Sequence, residues 1–480
     1  MSTAKFTRGS TMRHVVVMTL TSSAGLLALF AVDALNLFYI SLLGVEELAA
    51  AIGFAGTLQF FMISVAIGLL IAGTATVSRA EGAGDRDRAR RNATSALVTT
   101  VLGLAIASAI LWVYRTEALS LLGARGTTLQ LASDFLAITL PSVPLVGLGM
   151  SCSGTLRAVG EAGQAMYVTL GGGLIAAFLD PLLIFGLDLG LTGAAVAMVI
   201  TRGCIGVIGL YLVVTKHNML AAPSLSDWLE DIGPLAKLVA PIMATQLSTP
   251  FGNAYLTATV AEYGDSAVAG WAVVGRVAAL AFGGIYALAG AVGPIIGQNY
   301  GAKIWPRVAM TYRDGLIFAV VYVLAAWVVL AMVSGLIIDG FGLEGEGAQL
   351  VSLFTTTTAW AFAFTGALFV SNAAFNNLGR PLWSTMCNWS RDAIAIPVLV
   401  FALGGTLGVT GVVWIQAFAA VIVGTGAAII GWRTVQRVAE RTVDSAPGAA
   451  PSPAFGSGKA AALVGAPASA GPLASDDEKR

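Results

Sequence analysis

AEGAGD, at Ala80–Asp85, is a short polar break between two long apolar runs, and it has a counterpart in NYGAK at Asn299–Lys303. Setting Gly82 against Gly301 gives an offset of 219 in the numbering. One such match carries little weight. The same offset, however, sets Gly160 of LRAVGEAG (Leu156–Gly163) against Gly379 of FNNLGRP (Phe375–Pro381). Gly193 of LGLTGAAVA and Gly411 of LGVTGVVW match at an offset of 218, and Gly44 and Gly264 at 220. Four anchors that agree so closely imply an internal duplication covering most of the chain.

The surrounding composition gives the solvent. Of 480 residues, 57% are hydrophobic and 11% charged, whereas a soluble chain carries about 25% charged residues. The solvent is therefore lipid. With about 20 apolar residues needed to cross the hydrocarbon layer, breaks at charges, prolines and glycine clusters leave twelve spans, six in each repeat. The predicted fold is an all-α integral membrane protein of two six-helix lobes. An even number of spans per repeat makes both lobes enter from one side, related by a pseudo-twofold axis along the membrane normal, with a cleft between them. The expected organisation is an N-terminus at 1–13, an N-lobe at 14–214, a linker at 215–234, a C-lobe at 235–432 and a tail at 433–480. That tail turns to Ala, Pro, Gly and Ser from Val443 and is expected to be disordered.

The basic residues fall in alternate loops. Arg86, Arg88, Arg90 and Arg91, then Lys216, Lys303, Arg307, Arg433 and Arg437, lie on the side of both chain ends, against Arg115 and Arg125 opposite. The positive-inside rule places both termini in the cytoplasm of a multi-pass cell-membrane protein. The run after Arg13 is too long for a signal-peptide core and is expected to stay as the first span. Lys plus Arg equals Asp plus Glu at 26 each, so no net field attracts nucleic acid. Cys152, Cys204 and Cys387 are scattered through apolar segments, which gives no disulfide framework and no zinc site, and no cofactor is expected. His14 and His217, beside basic residues at span ends, read as solvated or headgroup-facing side chains.

Charges inside spans are costly and mark functional candidates. They are Asp33, Asp134, Asp180, Arg202, Arg276, Arg391 and Asp392. At 1.5 Å per residue, Asp33 and Asp180 lie about 15 and 10 Å from the outer ends of their spans, at comparable depth in one lobe. Two carboxylates in a poorly solvated pocket raise each other's proton affinity or share a cation. Pro181 follows Asp180 and frees the carbonyl of Ala177, placing a bend beside the acid. Arg202 could instead neutralise Asp180 as a static ion pair. Asn36, three residues after Asp33, shares its helical face, and the duplication pairs Asp33 with Asn253, an amide in place of an acid. Arg391 and Asp392, being adjacent, are each expected to find a partner on another segment.

Five stretches in order, VDALNLFYISLLG (Val32–Gly44), LRAVGEAG, FLDPLLIFG (Phe178–Gly186), IGQNYGAK (Ile296–Lys303) and FNNLGRP, resemble the multidrug and toxic compound extrusion (MATE) transporters over about Thr11–Arg437. The resemblance implies an exporter of cationic and amphipathic compounds in exchange for sodium ions or protons, with Asp33 and Asp180 as the coupling-ion carboxylates. This chain departs from the family pattern at Ala176, where many relatives have Asn, and at Met198, where they often have Thr. Sodium prefers several oxygens and a proton needs one carboxylate, so proton coupling is favoured over a sodium ion at Asp33 and Asp180. The seventh span offers Gln246, Ser248 and Thr249 rather than an acid, so a first-lobe mechanism is expected.

The expected function is therefore a secondary active multidrug exporter, not an enzyme, working as a monomer by alternating access. Asn36, Pro181, Arg202, Gln246, Asn253 and Arg276 are its cavity or gating candidates. The alternative is a flippase or exporter of a lipid or lipid-linked sugar, which calls for more arginines in the groove than these spans supply. A passive channel and a membrane enzyme remain as further classes, the latter without a nucleophile–base pair or clustered metal ligands.

Overall fold

The computed structural model describes residues 4–41 and 46–440, with the side chains of 29–38, 40, 41, 46, 47, 49, 265 and 405 outside the described set. The part of the tail from Val443 onward, expected to be disordered, also lies outside the described residues. The described residues form helices joined by short turns, with no strand among them. Twelve long helical segments follow in order: α1 (Thr11–Ser41), α2 (Glu46–Gly82), α3 (Arg86–Val113), α4 (Gly126–Ala158), α5 (Ala162–Gly186) and α6 (Gly190–Lys216). Then come α7 (Leu225–Ala261), α8 (Ser266–Ala281 with Gly283–Gly301), α9 (Trp305–Gly340), α10 (Gly345–Asn377), α11 (Pro381–Gly404) and α12 (Gly411–Glu440). These coincide with the twelve spans expected from hydropathy. The outward faces of α3 and α9 carry Ile106, Ile110, Val321 and Met332, all exposed, as lipid-facing surfaces require.

The duplication is written in the backbone. Left-handed φ values recur at Gly84 and Lys303, Gly123 and Gly342, Gly126 and Gly345, and Gly160 and Gly379, each pair at the offset that relates the two repeats. A 3-10 turn at Leu140–Ser142 interrupts α4, and its counterpart at Ala359–Ala361 interrupts α10 at the same offset. In α4 the cause is local: Pro141 and Pro144 remove two donors and leave carbonyls free within one turn. Lys303 holds φ 58° where the first repeat has glycine, a backbone region that favours Gly.

The two halves meet through α8 against α1 and α2, and through α2 against α7. Exchanging the repeats turns α1 into α7 and α2 into α8, so the pairs α1–α8 and α2–α7 are equivalent. The pseudo-twofold axis therefore passes between α2 and α8.

Candidate transport site and gate

Asp180 occupies the last turn of the regular part of α5, and it is 2% exposed. Pro181 ends that regular helix and a π-helical turn follows at Leu182–Gly186, so the helix changes its winding directly beside the acid. Wide turns of this kind are frequent at functional positions. Ala176, one turn earlier, is buried, and Met198 of α6 packs into an apolar cluster with Ile184 and Ala195. Neither supplies an oxygen. Asp33 and Asn36 lie in α1, but their side chains are outside the described residues.

Arg202 of α6 is 8% exposed and donates to the Thr139 carbonyl at 3.0 Å, to Ser142 Oγ at 3.0 Å and to Gln59 Oε1. The broken turn of α4 sets Thr139 and Ser142 together, Ser142 Oγ donating to the same Thr139 carbonyl at 2.6 Å, so Arg202 meets a carbonyl and a hydroxyl that are already joined. Sequence reasoning gives no role to Thr139, to Ser142 or to Gln59, whose Nε2 donates to Thr139 Oγ1 at 3.3 Å. The one sequence signal for this cluster is the pair of prolines in LPSVP at Leu140–Pro144.

In the second half Asn253 and Arg276 are exposed, Gln246 is half-buried, and Asp134 in the first half is exposed. Arg391 and Asp392 overturn the expectation of separate partners. They bond to each other, Nε to Oδ1 at 2.7 Å and Nη2 to Oδ2 at 3.1 Å. No π-turn is needed for this, since Arg313 and Asp314 pair in the same way within the regular helix α9, at 3.1 Å; a long arginine side chain reaches across the roughly 100° between neighbouring residues. Asp392 is covered by Gly252 of α7, where an added Cβ would lie 2.9 Å from its Cβ.

At the end that bears the N-terminal arm, the halves close on one another symmetrically. A Cβ at Gly82 would run into the Gln298 carbonyl, and one at Gly301 would run into the Arg79 carbonyl. Arg79 and Gln298 are themselves related by the repeat offset, so the two contacts are one contact seen twice about the axis. Arg79 Nη2 donates across to the Asn376 carbonyl at 3.2 Å, and Gln298 Nε2 donates across to the Ala158 carbonyl at 2.7 Å. Both acceptors sit at the ends of repeat-related helices α10 and α4.

The arm reinforces this closure. Phe6 is 1% exposed; its N–H donates to Gln298 Oε1 at 2.9 Å, and its carbonyl accepts from Asn299 Nδ2 at 3.2 Å and Arg307 Nη2 at 2.8 Å. Lys5 Nζ reaches the other half, at the Gly160 carbonyl (3.0 Å) and Glu161 Oε1 (3.2 Å). His14 steadies the strap, its Nε2 2.7 Å from the Arg8 carbonyl and its ring edge-on to Phe6. Removing a buried aromatic costs about 3–5 kcal/mol. Phe6→Ala is therefore expected to loosen the strap, accelerating amide exchange at residues 5–9 by roughly a hundredfold or more, read by hydrogen–deuterium exchange in nanodiscs. Unchanged exchange would show that the polar contacts alone hold it.

The family model MatE matches residues 18–182 and 241–401, two stretches that follow the duplication and make up most of the chain. The chain belongs to the MATE family. It is accordingly a secondary transporter and not an enzyme, and its helices make it a multi-pass membrane protein. Among curated relatives, it is 28% identical over 441 residues to a FAD transporter of Shewanella oneidensis, covering 90% of this chain and 97% of that one. It is 27% identical to the multidrug export protein MepA of Staphylococcus haemolyticus, covering 79% and 84%. The fold matches the bent form of the MATE transporter VcmN of Vibrio cholerae with a TM-score of 0.82 at 24% identity, over 90% of this chain and 98% of that one. It also matches a MOP superfamily transporter from Pyrococcus furiosus with a TM-score of 0.83 at 20% identity, over 91% and 99%. Arg79, Gln298 and Asn376, which join the two halves of this MATE chain, lie within or beside motifs that mark the repeat and the family resemblance, yet sequence reasoning assigns them no role.

Proposed function

We propose that this MATE transporter is a proton-coupled antiporter that exports amphipathic organic cations, with both termini in the cytoplasm. The carrying observation is Asp180, an acid 2% exposed at the junction of an α- and a π-helical turn, with Ala176 and Met198 in place of oxygen ligands. A carboxyl group so placed changes charge only at a large desolvation cost, so its protonation state is tied to the packing around it. Protonation from the outside, with Asp33 as the partner acid in α1, re-packs the π-helical turn of α5. Cargo release outward and proton entry are then two sides of one equilibrium. The symmetric contacts of Gly82 with Gln298 and Gly301 with Arg79 form the inner gate, which opens in the opposite half of the cycle.

A second reading concerns cargo alone and is favoured by the FAD transporter relative: a flavin dinucleotide, an anion, in place of a cation. In this reading Arg276 of α8, which is exposed, meets that charge. Proteoliposomes loaded in turn with ethidium and with FAD, under a proton or a sodium gradient imposed separately, distinguish the readings. Proton-driven efflux of ethidium is the expected result. Efflux of FAD alone would replace the cation by the flavin, and efflux under sodium alone would overturn proton coupling.

A further inference from the structure

The broken turn of α4 leaves a gap against α3. Its walls are Ala105, Ser108, Ala109 and Trp112 of α3 and Pro141 and Pro144 of α4, and the groove measures about 310 Å³. Small side chains keep α3 from filling the space, and Ser108 turns its hydroxyl inward to the Ala105 carbonyl at 3.2 Å, leaving an apolar surface. Pro141 cannot donate to the carbonyl four residues back, and that carbonyl, Ala137, accepts instead from Trp112 Nε1 at 3.1 Å. The indole is thereby fixed as the end wall of the groove.

Over that indole lies Arg115, its guanidinium carbon 4.8 Å from the ring centroid. Its Nη1 donates to the Trp112 carbonyl at 2.7 Å, while its buried Nε has no acceptor among the described residues. Among the described residues no carboxylate pairs with Arg115. A guanidinium carries five donors, so this one is a cation without a carboxylate, stacked on the tryptophan that lines the apolar groove, at the end of α3 away from the termini. A Trp and a cation at a span end mark the headgroup level of a bilayer.

We propose that the α3–α4 groove binds an anionic glycerophospholipid, one acyl chain lying against Ala105 and Ala109 and the phosphate held by Arg115. The occupant follows from charge complementarity, since a planar guanidinium without a carboxylate among the described residues matches a phosphate, and from the apolar lining of the adjoining groove. The lipid would brace the α4 break, whose next turn carries the Thr139 carbonyl and Ser142 hydroxyl that hold Arg202.

The test uses the full chain in detergent, with thermal unfolding followed as phosphatidylglycerol is added, against phosphatidylcholine and diacylglycerol of the same acyl chains and against inorganic phosphate. Phosphatidylglycerol is expected to stabilise the wild type most, with its half-saturating mole fraction raised about tenfold in Arg115→Gln and restored towards wild type in Arg115→Lys. Ala109→Trp, which fills the slot, is expected to abolish the effect. If that variant does not fold, the Arg115 pair still decides the question. Equal stabilisation by diacylglycerol, a full effect from inorganic phosphate, or identical titrations in Arg115→Gln would each overturn the site and leave annular lipid only.

Discussion

Asp180→Asn is expected to reduce uphill export by at least about tenfold in proteoliposomes while leaving the protein folded. Asparagine keeps the shape and the polarity of the side chain and removes its charge change, so the packing of α5 around Asp180 is preserved and the proton loses its handle. Couplings between two ligands are typically 1–3 kcal/mol, about 5–150-fold, and with this one removed the gradient no longer biases the equilibrium. Downhill movement of cargo should survive. An Asp180→Asn protein that still concentrates cargo at the wild-type rate would place the coupling group elsewhere, with Asp392 of α11, 3% exposed, the next acid to examine.

Gly82→Val and Gly301→Val are expected to hold the inner gate open. At both positions the first added carbon would collide with a backbone carbonyl across the interface, and a backbone cannot step aside as a flexible side chain does. Overpacking of this kind costs about 1–3 kcal/mol, which displaces a two-state equilibrium by about 5–150-fold. Cysteine accessibility at the gate should rise and export should fall together. Gly163→Ala is the control, since a Cβ there meets nothing within 4 Å. Because the two contacts are related by the pseudo-twofold axis, the two substitutions should act alike. A strong effect from only one would mean that the gate does not move as a symmetric unit.

The fold is legible in the sequence because its signals are collective. Twelve apolar runs and one recurring offset need no side-chain detail, and the left-handed turn at Gly160 recurs at Gly379 for the same reason the sequence repeats there. Asp180 beside Pro181 is legible too, since a charge within a span stands out against its neighbours. The gate is harder to see. Gln298 and Asn299 are ordinary amides at a helix end, and what distinguishes them is the arm they grip, which comes from the far end of the chain. Arg391 and Asp392 mislead because the angle between neighbouring helical positions does not limit the reach of a long arginine side chain, and the pair closes on itself. The polar cluster of Gln59, Thr139, Ser142 and Arg202 draws on three helices, and only the prolines of α4 hint that the helix is broken where Thr139 and Ser142 meet Arg202.

Proton countertransport is the central claim, and interior pH reports it directly. Sodium-free proteoliposomes are loaded with the organic cation at high concentration, diluted into cation-free buffer, and followed with an entrapped pH dye. Outward flow of the cation is predicted to drive protons inward, acidifying the interior with the wild type but not with Asp180→Asn. Cation efflux without a pH change, restored to an uphill process only when sodium is supplied, would contradict it.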